Sequence, residues 1–213
     1  MISVEKTHVY ETYQSISSRF DKTRGYVWPC VTEFLDCLPA GSRLLEIGCG
    51  NGKNLLYRSD LKAKGVDFVP NFVEMCKERG LDVIEANALT LPFEDDSFDV
   101  VISIAVFHHL SSEERRRQAL SEMNRVLRIG GKGFVMCWAY EQEYGGQKST
   151  SRRIVGKGDQ YVPWIDYKQR NRLGERFYYF YGKKEFEEFS ESISVPEKQI
   201  SWEEGNWILE FTK

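Results

Sequence analysis

Apolar residues recur at two different periods along this chain, and the change between them sets its architecture. From residue 4 to 20 the apolar positions keep a rough helical spacing among polar ones. A second helix opens at Trp28-Pro29, with Val31, Phe34, Leu35 and Leu38 on one face. From residue 43 onward, short apolar runs alternate with helical stretches. Residues 44–47, 63–66, 82–85, 98–104 and 132–138 read as strands, and 53–57, 72–79 and 112–127 as helices. Arg128-Ile129-Gly130-Gly131 is expected to end the last of these helices with a left-handed glycine cap. Residues 183–189 read as a helix, and 199–202 and 207–211 flank Glu203-Glu204-Gly205-Asn206 as a hairpin. Near-continuous apolar strands separated by helices predict a doubly wound α/β fold. Its seven-stranded, mostly parallel sheet is finished by a C-terminal antiparallel hairpin. One domain over 1–213 is expected, with 1–40 as a helical cap and 141–182 as an insertion on the substrate side. Within that insertion, 141–176 is long, polar and poorly periodic, and structureless stretches of this length are usually functional or disordered.

Composition narrows the setting. The chain has 213 residues, 41% hydrophobic and 29% charged, which suits a globular domain with a real core. No apolar run approaches the ~20 residues that span a bilayer, and the N-terminus lacks a secretory pattern. A cytoplasmic protein, with a nuclear pool possible and no membrane partner, is expected. Cys30, Cys37, Cys49, Cys76 and Cys137 are odd in number and not spaced as a zinc knuckle, so reduced thiols and no metal on this chain are expected. The net charge of −3 hides an uneven distribution. Residues 148–184 hold ten Lys or Arg and three Asp or Glu, a net of +7 that leaves −10 elsewhere. The same stretch interleaves Tyr161, Trp164, Tyr167 and "FYYFY" (177–181) with its charges. Cations for phosphates and rings for unpaired bases are how single-stranded nucleic acid is held.

The candidate chemistry starts at "RLLEIGCGNGKNLL" (43–56). Gly48, Gly50 and Gly52 follow a strand, where glycine lets backbone approach a ligand closely. A dinucleotide fingerprint would read G-x-G-x-x-G. Here the spacing is G-x-G-x-G, with Glu46 two residues before it, and a carboxylate there suits a ligand carrying an amino group beside a sulfonium. Asp67, nineteen residues after Gly48, ends the second strand where an acid accepts from ribose hydroxyls. Asn87, in "EANALTLPF", follows the third strand and is placed to read an adenine amino edge.

This layout resembles the class I S-adenosylmethionine-dependent methyltransferases. The resemblance is carried by "LLEIGCGNGKNL", "GVDFV", "ANALTLPFEDDSFDVVISIAVFHHL" and "EMNRVLRIGGKGFVMCW", over about residues 43–138. It implies a Rossmann-like sheet and a cofactor pocket of Tyr13, Arg24, Glu46, Gly48, Gly50, Gly52, Asp67, Phe68, Asn87, Ala88, Ile104 and Ala105. Ser103 to His109 is not the Asp/Asn-Pro-Pro-aromatic run of base N-methylating relatives. The flanks "FDKTRGYVWPCV", "SIAVFHHL", "CWAYEQ", "YVPW" and "GNWILEF" resemble the eukaryotic tRNA wobble-uridine carboxymethyl methyltransferases, over nearly the whole chain. That resemblance implies methyl transfer from S-adenosyl-L-methionine to the carboxylate of 5-carboxymethyluridine in a tRNA anticodon stem-loop. It also implies a small zinc-binding activator subunit as partner in a heterodimer. Between "CWAYEQ" and "VPW" the chain has only 18 residues (143–160), which is short for that family.

A carboxylate with a pKa near ~4 is ionised at neutral pH and needs no general base. Alignment and a cation to hold the acid are what remain. Candidate substrate-positioning residues are Arg24, His109, Arg152, Arg153 and Trp164. Arg24 has a rival role on the cofactor's own carboxylate, and Tyr13 is placed to close over the cofactor. Trp138 is a candidate pocket wall, and Arg115-Arg116-Arg117 a candidate contact to the anticodon arm. Two readings of other classes stand beside this one: a methyltransferase of a small molecule such as a quinone or sterol, and an inactive cofactor-fold subunit.

Overall fold

The computed structural model describes residues 2–148, 156–166 and 171–213. Its N-terminal helical stretch runs through α1 (Ser3–Glu5), a wide π turn (Lys6–Glu11) and α2 (Thr12–Lys22). The helix α3 (Pro29–Asp36) follows, with proline in its first turn where the missing N–H costs nothing. Five strands then build the sheet: β1 (Arg43–Ile47), β2 (Lys62–Asp67), β3 (Val83–Glu85), β4 (Phe98–Ile104) and β5 (Leu127–Trp138). The helix α4 (Pro70–Glu78) joins β2 to β3, and α5 (Glu113–Val126) joins β4 to β5. Two hairpins come next, the short β6 (Glu143–Tyr144) with β7 (Gln147–Lys148), and the long β8 (Gly158–Asp166) with β9 (Asn171–Phe180). After α6 (Lys183–Ser190), β10 (Glu197–Glu203) and β11 (Asn206–Thr212) close the chain.

The seven-stranded sheet has the order β10-β11-β5-β4-β1-β2-β3. Strands β1 to β5 pair in parallel, and β11 pairs antiparallel with both β5 and β10. This is the expected architecture. The parallel strands are buried on both faces because helices cover each side. One face packs on Leu120, Met123 and Val126 of α5 with Phe186 and Phe189 of α6, and the other on Val31, Phe34 and Leu35 of α3 with Val73 and Cys76 of α4. Ser112 starts α5 by accepting from the Arg115 N–H at 3.3 Å, with Glu113 and Glu114 in the first turn. Strand order reverses between β1 and β4, and the carboxyl ends of those strands are where such sheets bind ligands.

Three expectations need correction. Residues 53–57 are turns and not a helix. The segment holds one i−4 bond, from the Leu56 N–H to the Gly52 carbonyl, and Asn54 and Lys53 direct their side chains into tertiary bonds. Gly130 does adopt φ +72, yet it does not cap α5. The helix stops at Val126, Leu127 is already extended, and Gly130 bends β5 while its N–H donates to the Lys213 carbonyl. Among its described residues, the polar segment 141–176 is not a structureless loop but forms the β6–β7 hairpin, β8 and the first part of β9. Its alternation is concealed because β8 and β9 lie outside the main sheet and bury aromatic and charged residues alike.

Leu120 is completely buried between α5 and the sheet. Leu120→Ala is expected to destabilise the chain by about 2–5 kcal/mol, lowering its melting temperature by several degrees in a calorimetric scan.

Candidate active site

The three glycines sit where the chain leaves β1, each with positive φ: 71° at Gly48, 53° at Gly50 and 75° at Gly52. At Gly48 a Cβ would fall 2.4 Å from Val106 Cγ2, and at Gly52 2.4 Å from Leu81 Cδ1. Backbone conformation and space therefore both demand glycine at these two positions. The loop is also tied down. The Gly48 and Cys49 N–H groups donate to the Val66 carbonyl, and the Gly50 N–H donates to Asp67 Oδ2 at 2.8 Å. Asp67 Oδ1 accepts from the Val69 N–H at 2.9 Å, so this acid holds the glycine loop and the start of α4 together.

Glu46 lies at the base of the loop and is 1% exposed. Its Oε1 accepts from Asn54 Nδ2 at 2.6 Å, while its Oε2 has no hydrogen-bond partner among the described residues. Burial pushes the Glu46 carboxyl up to about 8, against the Asn54 bond and the nearby Lys53 charge, with Asp67 adding to the rise. Burial likewise raises Asp67 to about 6, opposed by its three backbone donors. A buried carboxylate with an orphaned oxygen beside a side-chain-free cradle fits a ligand that brings its own cation.

The N-terminal helices and the β8–β9 hairpin cover this end of the sheet. Val9, Tyr13 and Ile16 pack with Val69, Phe72, Trp164 and Phe177 in one apolar cluster. Tyr13 is buried, and its hydroxyl lies 2.9 Å from His109 Nε2 and 3.4 Å from the Tyr178 hydroxyl. On its other side, His109 Nδ1 is 2.6 Å from the Phe177 carbonyl, which can only accept. The His109 proton therefore sits on Nδ1, and Nε2 accepts from Tyr13. Burial pushes His109 down to about 3, assisted by the Arg176 charge and opposed by the Phe177 bond.

The remaining candidates fall in several places. Arg24 is half-buried, with its guanidinium 5.4 Å from the Phe20 ring and 5.5 Å from the Trp164 ring. Ile104 is buried, and Ala105 takes φ +60 with its N–H donating to the Met136 carbonyl. Phe68 packs on Tyr10 beside Asp67, and Ala88 is half-buried. Asn87 is exposed, and its Oδ1 accepts from the Leu89 N–H within its own turn. Trp164, a candidate substrate-positioning residue, is 9% exposed and lies under two guanidinium groups. Arg152 and Arg153 lie outside the described residues.

The basic run on α5 does not form an outward patch. Arg115 pairs with Glu5, Arg117 pairs with Glu113, and Arg116 is buried over the Tyr179 ring while donating to the Leu110 carbonyl. Trp138 stacks with Tyr178 at 4.3 Å and Phe180 at 5.7 Å, and His108 accepts from the Trp138 N–H. A residue that pattern reading missed is Arg176, buried in β9 against Trp164, Tyr178 and Tyr13. The signal was weak, one cation immediately before a run of aromatic residues. Among the described residues no group of three or more His, Cys, Asp or Glu could hold a metal ion, and no helix is long and apolar enough to cross a membrane.

Comparison with known proteins agrees with this geometry. A methyltransferase-domain family model matches residues 45–135. The tRNA (carboxymethyluridine(34)-5-O)-methyltransferase of Schizosaccharomyces pombe is 34% identical, and the match covers 97% of this chain and 96% of that protein. The chain belongs to this family of S-adenosylmethionine-dependent methyltransferases. The mouse tRNA (carboxymethyluridine(34)-5-O)-methyltransferase ALKBH8 is 44% identical over 74% of this chain, which spans only 24% of that longer protein. In fold, the chain is similar to the methyltransferase in a Haloferax volcanii complex with the Trm112 methyltransferase activator, with a TM-score of 0.66 and 18% identity. That match covers 96% of each chain.

The raised Glu46 pKa has a signed consequence for the unliganded protein. Unfolded, the group ionises near its ordinary 4.5; folded, it keeps its proton to about 8. Rising pH between these values favours the unfolded state, and the loss levels off above about pH 8. Glu46→Gln removes that dependence. Its melting temperature relative to the parent chain is expected to climb from pH 5 to pH 8 and then stay flat.

Proposed function

We propose that this chain transfers a methyl group from S-adenosyl-L-methionine to the carboxylate of 5-carboxymethyluridine at the tRNA wobble position, forming the methyl ester. The observation that carries this reading is the near end-to-end match to the fission-yeast enzyme, cap and C-terminal hairpin included. The pocket chemistry supports it. Glu46 Oε2 and the glycine cradle suit the cofactor's ammonium and backbone-close atoms, and Asp67 its ribose. Phe68, Asn87, Ala88, Ile104 and Ala105 would border the nucleoside, with Tyr13 closing from the cap. On this reading residues 1–213 act as one catalytic unit, 1–40 as the cap and 141–182 on the substrate side.

When bound, the cofactor supplies a methyl on sulfonium sulfur, to which a carboxylate oxygen bonds as the sulfur–carbon bond breaks with its electron pair left on sulfur. No proton moves. The chain's own task is to desolvate the acid and hold it in line with the methyl, alignment being worth up to ~7–11 kcal/mol in favourable cases. His109 fits this division of labour. With both ring nitrogens engaged and its pKa near 3, it positions Tyr13 and does not serve as a base. Tyr13 and the β8–β9 hairpin exclude water from the end of β4.

The anticodon stem-loop would approach over the hairpin side, where Arg152 and Arg153 are candidates for its phosphates or acid. A small zinc-binding activator subunit is the proposed partner, on family resemblance and the archaeal complex of similar fold. The five free thiols suit a cytoplasmic setting.

The test is methyl transfer from labelled cofactor, with the activator present, to synthetic anticodon stem-loops carrying either 5-carboxymethyluridine or uridine. Label is expected only on the acid-bearing RNA, in a product that mild alkali hydrolyses back to the acid. Alkali-stable label, or equal labelling of both RNAs, would refute the proposal. Gly48→Ala, which drives a methyl into Val106, is expected to lose at least about a hundredfold in activity through weakened cofactor binding, read by calorimetric titration.

A further inference from the structure

Among the described residues, Arg176 is a cation buried without an anionic partner. It is 6% exposed, and its guanidinium faces the Trp164 ring at 4.8 Å, Tyr178 at 5.1 Å and Tyr13 at 6.0 Å. Among the described residues no Asp or Glu pairs with it, and its Nε has no hydrogen-bond partner. The other buried arginine on this side, Arg116, differs: it donates to the Leu110 carbonyl and lies 3.7 Å over Tyr179. Aromatic faces and a hydrogen bond to the Tyr13 hydroxyl offset part of the cost of burying this guanidinium but leave its Nε unused. Such a group is held ready for an anion from outside the chain.

Its neighbours say which anion. Tyr13 joins Arg176 to His109, and His109 follows β4, where the reacting methyl emerges. Arg24 reaches the same Trp164 ring from the cofactor side. Its carbonyl accepts from Asn51 Nδ2 in the glycine loop, and its partner ring Phe20 borders Gly50. Two guanidinium groups thus meet one indole, one beside the glycine loop and one beside the end of β4.

We propose that Arg176 receives the carboxylate of the substrate and that Arg24 faces the α-carboxylate of the cofactor, an assignment that rests on the proposed function. Because the ester is neutral, Arg176 loses its counter-charge as the methyl arrives, which favours product release.

The experiment measures binding of the full chain, with its activator and S-adenosylhomocysteine, to anticodon stem-loops bearing 5-carboxymethyluridine or its methyl ester. The parent chain is expected to prefer the acid by about tenfold or more, as a charge-assisted bond allows. Arg176→Met is expected to abolish that preference while keeping cofactor affinity and a cooperative melt. Arg24→Met is expected to keep the preference and weaken the cofactor. An unchanged preference in Arg176→Met would overturn the assignment. Should that variant fail to melt cooperatively, Arg176→Lys replaces it: the charge without the fork should lower the preference several-fold, and parental preference would overturn the assignment. A parent chain that methylates the acid-bearing RNA while Arg176→Met keeps its preference defeats this inference alone. A parent chain that never methylates that RNA defeats the proposed function and this inference with it.

Discussion

A carboxylate taken out of water without a cation beside it will not stay ionised, and Glu46 is held in that condition. Only Asn54 donates to it among the described residues, Lys53 contributes at longer range, and its second oxygen is unsatisfied. The fold supplies every reason for this placement. The strand β1 is central and buried on both faces, so a polar residue near its end cannot reach solvent. Gly48 and Gly52 then bring backbone, not side chains, over the carboxylate, because Val106 and Leu81 occupy the space a Cβ would need. The pocket is thereby charge-deficient until a cationic ligand enters, and both the raised pKa of Glu46 and the choice of a sulfonium amino acid follow from that deficiency.

The substrate side depends on a different device. Residues 13, 109, 177 and 178 lie far apart in sequence, and a short series of hydrogen bonds unites the helical cap, the exit of β4 and the β8–β9 hairpin. Since the Phe177 carbonyl can only accept, it fixes the His109 tautomer, which in turn orients the Tyr13 hydroxyl. Aromatic packing stiffens the arrangement: Trp138, Tyr178 and Phe180 stack nearly parallel, and Phe20 meets Trp164. On the proposed function, apolar walls with few polar groups would keep water from competing to solvate the carboxylate.

The sheet was legible in the sequence because its central strands are near-continuous apolar runs and Gly48, Gly50 and Gly52 sit at a turn with positive φ. Glu46 and Asp67 were legible for the same reason, as acids interrupting apolar strand ends. What pattern could not reveal was the use of each charge. Arg115, Arg116 and Arg117 read as a surface run, yet Glu5 and Glu113 claim two of them and a carbonyl the third. That Trp164 lies inward was also not legible, since strand alternation in a hairpin apart from the main sheet does not say which face is covered. Arg176 escaped notice because burial of a lone cation is a property of tertiary packing. The helix expected at 53–57 failed because two of its five side chains serve tertiary contacts.

These features together discriminate between classes of acceptor. Methylating a hydroxyl or an amine requires a group that takes a proton near neutral pH, within reach of the methyl. Two histidines follow β4: His108 accepts from the Trp138 N–H through its Nδ1, and His109, which faces the cap, is unsuited because burial and the Arg176 charge keep its pKa near 3 and Tyr13 occupies its basic nitrogen. An acceptor that arrives already ionised removes the requirement. It replaces the missing base with a different need, a buried cation able to pair with an acid until the acid becomes a neutral ester. On the proposed function, a histidine withheld from base catalysis beside an arginine with no acidic partner among the described residues suits that exchange, and an acid substrate is the one for which both features have a use.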